Sequence, residues 1–173
     1  MRNLIWKLLA KLAAWPPVTN WIIRNAQNKP YYHLNGYMDR WWLTPRILLT
    51  RDEFGNLFPY SWVPMFLKVR VHHTKRADRE DHKHDHPADN CSVVMRGWVD
   101  EMDVFNRSNL RTPGQIIFRR AHEFHKLVGT NVDGVWTLWF MGKKINRWGF
   151  LVDGRKVYWR DYFEMKGFGN VEE

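Results

Sequence analysis

From Pro30 onward, the chain breaks into short runs of apolar or alternating residues, with glycine, proline and asparagine between them. The run "LKVRVHH" (67–73) alternates apolar and polar side chains, as a half-buried strand does. The segment "RWGFLVDGRKVYWRDYF" (147–163) predicts a hairpin, because Asp153 and Gly154 supply the positive φ angles of a type I′ turn. The other runs typical of strands are 91–105, 115–120, 124–128 and 135–141. Many short strands with frequent turns predict a mainly β fold, a small antiparallel sandwich or barrel.

The first 29 residues have a different pattern, which predicts two short amphipathic helices ahead of the β-rich part (residues 30–173). In "MRNLIWKLLAKLAAWPP" (1–17), apolar side chains recur at helical spacing opposite Asn3, Lys7 and Lys11, and the two prolines end the helix. The second helix is predicted over 18–27. The apolar stripe of the first helix consists of Leu4, Ile5, Leu8, Leu9, Leu12 and Trp15, and the expected buried side of the second consists of Trp21, Ile22 and Ile23.

The apolar stripe of the first helix has three interpretations. It packs on the β-rich part, or on a second copy of the chain to make a homodimer, or residues 3–15 lie on a membrane surface. The stripe is shorter than the roughly 20 apolar residues that cross a bilayer. Lys7 and Lys11 also interrupt the apolar stretch that a signal peptide requires. Packing is the commoner use of such a helix, so packing is the prediction.

Length, charge and cysteine content limit the function further. A chain of 173 residues suits one domain with a real core, and its formal net charge of +9 favours anionic partners. The basic residues are scattered and form no nucleic-acid-binding motif, so nucleic acid is disfavoured as a partner. Cys91 is the only cysteine, which excludes an internal disulfide. We therefore expect a cytoplasmic protein, peripheral to a membrane only if the first helix binds one.

The segment "EDHKHDHPADN" (80–90) places His82, His84 and His86 at alternate positions within a long polar insertion. Alternate side chains of an extended strand point the same way. Imidazoles that converge in this manner are typical metal ligands. The pattern therefore predicts a metal site at His84 and His86, with His82 at the surface or in the surroundings of the site.

The spacing of His84, His86, Asn90 and Gly97 resembles the first motif of the cupin superfamily, in which two histidines precede a glutamate and a glycine. The segment "TPGQIIFRRAHEFHKL" (112–127) resembles the second cupin motif, in which Pro-Gly opens a strand and a histidine follows a tight turn. His125 stands where this third metal-binding histidine is expected. Similarity to small bacterial and phage cupin-like proteins with an HDHP signature rests on "GYMDRWWL" (36–43), "HDHPAD" (84–89), "VVMRGWVDE" (93–101) and "RWGF" (147–150).

The resemblance implies a cupin-type barrel, also called a jelly roll or double-stranded β-helix, after the N-terminal helices. It also implies one divalent metal held by His84, His86 and His125, with Asp89 or Asn90 as a further contact. Asn90 replaces the glutamate that many cupins carry, and an amide can bind a metal only through its oxygen. On a regular strand Asn90 shares a face with the first two histidines, whereas a bulge before it would bring Asp89 inward.

The metal set suggests a function. Imidazoles with a carboxylate and open positions suit non-haem Fe(II), and the same set can hold Zn, Ni or Mn. The favoured prediction is a mononuclear Fe(II) oxygenase, of dioxygenase type, that acts on a small anionic molecule. One alternative is a non-catalytic cupin-type module that binds or senses a metabolite. The other is a basic protein associated with a membrane surface or nucleic acid. No residue is identified as a catalytic acid or base.

Basic and aromatic residues near the motifs are candidates for binding the substrate. Arg96, Arg119 and Arg120 add positive charge close to the predicted metal. One of the adjacent pair Arg119 and Arg120 should point inward from its strand, where a guanidinium clamps a carboxylate or phosphate. Trp98 is a candidate for the pocket wall. In the contrary case, the arginines pair with the acidic residues at 100–103 and leave a neutral pocket.

Overall fold

The computed structural model of the chain describes residues 2–51, 55 and 57–167. The helices are α1 (Arg2–Ala13), α2 (Pro16–Gln27) and α3 (Trp159–Met165). The strands are β1 (Met38–Trp42), β2 (Leu49–Arg51), β3 (Leu57–Pro59), β4 (Val69–Thr74), β5 (Asn90–Arg96), β6 (Val99–Met102), β7 (Ser108–Arg111), β8 (Ile116–Arg119), β9 (Lys126–Thr130), β10 (Val135–Met141), β11 (Gly149–Val152) and β12 (Arg155–Tyr158). The predicted fold class, a mainly β chain with N-terminal helices, is confirmed.

Antiparallel pairing connects the strands into two larger sheets and two hairpins. The five-stranded sheet has the order β1-β4-β10-β5-β8, and the three-stranded sheet has the order β7-β6-β9. The hairpins are β2–β3 and β11–β12. Non-consecutive strands are neighbours in both larger sheets, so the site can draw residues from distant parts of the sequence.

The five-stranded sheet has one apolar and one mixed face, because alternate residues of a strand point to opposite sides. Trp41, Val71, Leu138 and Val93 form one row across β1, β4, β10 and β5. All four belong to the core cluster that also contains residues of α1 and α2, so we call this the helix-covered face. The opposite face, called the inner face, carries Trp42, Arg70, Trp139 and Ser92 in one row and Arg40, His72 and Thr137 in the next.

The inner face packs against the three-stranded sheet. Val94, Ile117 and Val135 of the larger sheet share a buried cluster with Val99 and Leu127 of the smaller one. β6 therefore turns the side that carries Val99 toward the inner face. Glu101, two residues further along β6, is buried as well.

The turn between β5 and β6 requires its glycine. Gly97 has a φ of 77°, and a Cβ there would collide with the carbonyl oxygen of Gly134. The predicted hairpin turn is also confirmed, with φ values of 47° at Asp153 and 76° at Gly154. After Tyr158, however, the chain forms α3 in place of the predicted continuation of the strand.

The N-terminal helices form as predicted, but their buried faces differ from the prediction. Within residues 4–13 of α1, Ala10 and Ala13 are the buried residues, whereas all six residues of the predicted apolar stripe lie exposed. Of the two packing alternatives, packing of this stripe on the β-rich part is therefore wrong, and packing on a second copy of the chain stays a prediction. In α2, Ile22 and Ile23 are buried as expected, but Trp21 is 60% exposed. Small alanine side chains allow α1 to lie close to the sheet and leave its leucines outside.

Candidate metal centre

Residues 84–86 form an extended segment between two other parts of the chain. The backbones of His84 and His125 exchange hydrogen bonds of 2.8 and 2.9 Å. On alternate sides of the segment, the Asp85 N–H donates to the Gly149 carbonyl and the His86 N–H donates to the Ala121 carbonyl, each at 3.0 Å. The alternation that the sequence suggested is therefore present, and it directs His84 and His86 to the same side as His125.

The three histidines form a compact cluster, in which one ligand atom from each lies within 4.8 Å of the others. The Nε2 atoms of His86 and His125 are 2.8 Å apart. The ring of His84 lies 4.6 Å from that of His125 and 5.4 Å from that of His86, centroid to centroid. Two nitrogens on one ion lie roughly 3 Å apart when each bond is about 2.0–2.1 Å. The cluster therefore fits a single metal ion.

Burial keeps two of these imidazoles neutral. Removal from water, with smaller contributions from His84 and Arg119, holds the pKa of His86 well below its usual value. The pKa of His125 is likewise held well below its usual value by burial, then by Arg119 and the two other histidines. A neutral imidazole has a free lone pair on one ring nitrogen, and metal binding requires that lone pair.

Two carboxylates lie near the Nδ1 atoms of His84 and His125. Asp78 Oδ2 is 3.5 Å from His84 Nδ1, and Glu101 Oε1 is 3.9 Å from His125 Nδ1. His125 Nδ1 is buried without a hydrogen-bond partner. A metal at Nε2 would place the ring proton on Nδ1, facing Glu101. Such carboxylates orient imidazoles at metal sites.

Neither carboxylate was predicted from the sequence. Glu101 had a usable signal, since it shares a strand face with Val99 and is an acidic residue on the buried side of an alternating run. Asp78 had none, because it lies in an irregular loop. Its position is fixed by the Tyr37 hydroxyl, which donates to Asp78 Oδ1 at 2.6 Å, and by the Leu127 N–H, which donates to Oδ2 at 2.8 Å.

The two predicted fourth contacts face in opposite directions. Asp89 is exposed, and its Oδ1 accepts a hydrogen bond of 2.8 Å from the Ala121 N–H. Asn90 is buried, and its Oδ1 has no hydrogen-bond partner. Asn90 therefore takes the inward position and Asp89 the outward one, with the chain bent at residues 87 and 88 before β5 begins.

The candidate substrate residues are dispersed. Arg119 does point inward, but its Nη2 donates to Glu101 Oε1 at 2.8 Å, as in the contrary case considered from the sequence. Arg120 is exposed, and Trp98 lies against Gly129 at the surface. Arg96 is exposed as well, and it donates to Asn20 of α2. Of these four side chains, only that of Arg119 reaches the surroundings of the histidine cluster.

A cleft of about 460 Å³ opens beside the cluster. Its polar walls include Glu101, Arg119 and His125, and its apolar walls include Phe105 and Phe124. Ion pairs neutralise much of its charge, since Glu101 binds Arg119 and Arg111, and Asp103 binds Arg107. The cleft is therefore a route to His125 without a strong charge of its own.

Asp85 points away from the histidines and holds their segment in place. Its buried carboxylate accepts hydrogen bonds from the Gly149 N–H and Asn146 Nδ2, each at 2.8 Å, and from Lys156 Nζ at 2.5 Å. Asn146 Nδ2 also donates to the carbonyls of His86 and Ala121, at 2.7 and 3.2 Å. Asp85 does not orient an imidazole; it links the segment to β11 and β12.

Replacement of Asp85 by alanine should lower the free energy of unfolding by about 3 kcal/mol, since it leaves the ammonium and amide donors without their acceptor. Urea denaturation would measure the loss. Asp81→Ala is the matched control, because the ion pair of Asp81 with Lys166 is at the surface and should change stability little. Equal losses in the two variants would contradict this role for Asp85.

The remaining histidines of this region lie outside the cluster. His82 Nδ1 contacts the hydroxyl of Tyr162 at 3.0 Å, and His122 is exposed. His72 is buried on the inner face, where its ring stacks on Trp139 at 5.2 Å and its Nε2 has no hydrogen-bond partner. Burial, followed by the charges of neighbouring Arg70 and Arg40 and of His86, holds the pKa of His72 well below its usual value.

No protein-family model and no curated protein matches this chain. Part of it is similar to solved structures. A mannose-6-phosphate isomerase-like protein from Ralstonia eutropha JMP134 is 15% identical with a TM-score of 0.44, over 65% of this chain and 92% of that one. A structure of the DMSP lyases RdDddP and RnDddQII is 18% identical with a TM-score of 0.40, over 62% of this chain and 49% of that one. A cupin-like protein from Thermotoga maritima MSB8 is 14% identical with a TM-score of 0.37, over 76% and 89%. The chain thus spans about half the length of the DMSP lyase.

Proposed function

We propose that the protein is a metal-dependent enzyme with one divalent ion, Fe(II) in the favoured form, that oxidises a small anionic molecule. The observation that carries the proposal is the cluster of His84, His86 and His125, with two Nε2 atoms 2.8 Å apart. The carboxylates of Asp78 and Glu101 near the rings support it.

In this proposal, the three histidines hold the metal, and the carboxylates of Asp78 and Glu101 favour a proton on Nδ1 of His84 and His125 from distances of 3.5 and 3.9 Å. A ferrous ion in an imidazole set with open positions supplies the capacity to activate O₂. Asn90 Oδ1, buried without a partner, is a candidate for a further contact. The same donor set accepts Zn, Ni or Mn, so metal identity is part of the test.

The choice of an anionic substrate rests on Arg70. Its guanidinium carbon lies 4.4, 4.7 and 4.9 Å from the ring centroids of Tyr31, Trp42 and Trp139. Its Nε is buried without a hydrogen-bond partner, and it pairs with no carboxylate of the described residues. Burial lowers the pKa of Arg70 to about 10, which leaves it cationic at neutral pH. A half-buried cation that pairs with no carboxylate of the described residues favours an anionic ligand.

Arg70 lies on the same strand face as His72, a histidine near the metal cluster. Arg70 and His72 lie on the inner face of β4, two residues apart, and His86 lies near enough to His72 to be among the groups that lower its pKa. We therefore place the acidic group of the substrate toward Arg70, and not toward Arg119, whose charge Glu101 already balances.

Metal analysis of protein purified without a histidine tag, followed by O₂ consumption, would test the proposal. We expect about one metal per chain and, after anaerobic loading with Fe(II), O₂ uptake that depends on a small carboxylate or phosphate compound. Amines should not support uptake. Arg70→Met should raise the KM for the active acid about tenfold or more, because the loss of a charged hydrogen bond costs at least about 1.5 kcal/mol.

Arg120→Ala is the matched control, since its exposed side chain should leave KM unchanged. Stoichiometric metal without O₂ uptake on any compound would contradict the oxygenase and favour the metabolite-binding module. Uptake with amines alone, or an unchanged KM in Arg70→Met, would contradict the anionic substrate.

A further inference from the structure

We propose that α1 docks on the surface of an anionic membrane, with its exposed leucine face inserted among the lipids. The face consists of Leu4, Leu8 and Leu12, flanked by Ile5 and Leu9, and continues to Trp15 just beyond the end of the helix. The side chains of these six residues are all between 49% and 62% exposed. Large apolar side chains exposed together on one helix mark an interaction surface.

The orientation of α1 leaves this face free on the folded domain. Ala10 is 1% exposed and belongs to the same core cluster as Val93 and Met95 of the five-stranded sheet. At 100° per residue, Leu8 lies roughly 160° around the helix from Ala10. The contact that fixes α1 on the domain therefore turns the leucine face outward.

The junction of the two helices keeps α1 in this orientation. Thr19 of α2 is buried and donates its hydroxyl proton to the carbonyl of Ala13 at 2.7 Å. Ala13 is itself buried in the core cluster. Turning the leucine face inward would break these contacts and remove the alanines from the sheet.

The charge of the N-terminal segment indicates which partner binds this face. The first 38 residues contain no aspartate or glutamate, but they contain Arg2, Lys7, Lys11, Arg24 and Lys29. An anionic lipid surface is complementary to this segment, and each basic residue near such a surface adds to the attraction. A second copy of the chain would instead bring an equally basic segment, and a total charge of +9, against it.

The aromatic residues fit the same partner. Trp6 and Trp21 are 40% and 60% exposed, in addition to Trp15 on the leucine face. Tryptophan prefers the region between lipid headgroups and acyl chains, because its ring is apolar and its N–H is polar. No helix of the described residues is long and apolar enough to cross a membrane. The proposed contact is therefore one of a helix lying along the surface.

Co-sedimentation of the 173-residue chain with vesicles would test this proposal. We expect binding to vesicles of phosphatidylcholine with about one third phosphatidylglycerol, weaker binding to pure phosphatidylcholine, and a loss as salt increases. Introducing Leu8→Glu and Leu12→Glu together should lower the partition coefficient more than tenfold, since two inserted side chains become charged. Lys7→Gln should lower it roughly fivefold on the anionic vesicles only.

Val132→Glu is the matched control, because Val132 is an apolar residue 93% exposed on a loop outside the helices. This variant should bind vesicles as the parent does, and circular dichroism should show that every variant is folded. Absence of binding, or binding that the double variant retains, would overturn the proposal. So would a dimer in light scattering that disappears in the double variant without any vesicle binding.

Discussion

His86→Ala and His125→Ala should each lower the affinity for a divalent metal by at least about 100-fold. Loss of an outer partner of a metal ligand already costs about 10–100-fold, and these changes remove proposed ligands themselves. The Nε2 atoms of the two rings are 2.8 Å apart, so each is placed to share an ion with the other. Competition against a chelating dye, with Zn²⁺ and then with Fe²⁺ under argon, would measure the change.

His122→Ala is the control for these variants, since His122 is exposed three residues before His125 and lies outside the cluster. It should bind metal as the parent does. Circular dichroism would check that the variants keep the fold, which is expected because the pairing of His84 with His125 uses only backbone atoms. Unchanged metal affinity in both cluster variants would show that the ion binds outside the cluster.

The metal-free protein should lose stability steeply as the pH falls below about 6, at a rate of roughly 4 kcal/mol per pH unit. Burial holds the pKa values of His72, His86 and His125 well below the usual 6.5. Each of these groups therefore stabilises the fold fully above pH 6.5. That contribution is lost as the pH falls from 6.5 toward the folded pKa, because only the unfolded chain takes up the proton. Each such histidine adds about 1.4 kcal/mol per pH unit to the slope of the unfolding free energy, so three histidines together add roughly 4 kcal/mol.

Urea denaturation in EDTA at a series of pH values would measure this slope. Carboxylates that take up protons on unfolding also lower the free energy of unfolding as the pH falls further. A histidine variant is therefore needed to separate the contribution of the histidines from that of the carboxylates. His72→Phe keeps a ring beside Trp139 and should reduce the slope by about a third. His122→Phe should leave it unchanged. A slope that is the same in all three proteins would contradict the assignment to buried histidines.

Much of the fold could be predicted from the sequence because its signals are local. The alternation of residues 67–73 predicted β4, which starts two residues later and ends one residue later than predicted. Asp153 and Gly154 predicted the turn between β11 and β12. In contrast, 159–163 was predicted as a continuation of the second strand of this hairpin. It forms α3, since Trp159 and Tyr162, three residues apart, bury against Phe150 only when the segment is helical.

For the candidate site, the sequence alone determined that His84 and His86 share a side, since the period of an extended chain is two residues. Only the tertiary structure decided which groups lie near them. Glu101 reaches the cluster through the pairing of β6 with β9, and Asp78 reaches it through hydrogen bonds with Tyr37 and Leu127, which are contacts between distant segments. The same distinction applies to α1. Helical periodicity identified its apolar stripe, but the close fit of Ala10 to the sheet decided that the stripe faces outward. Periodicity describes how residues are arranged around a helix, and the shape of the surface it meets selects the side that is buried.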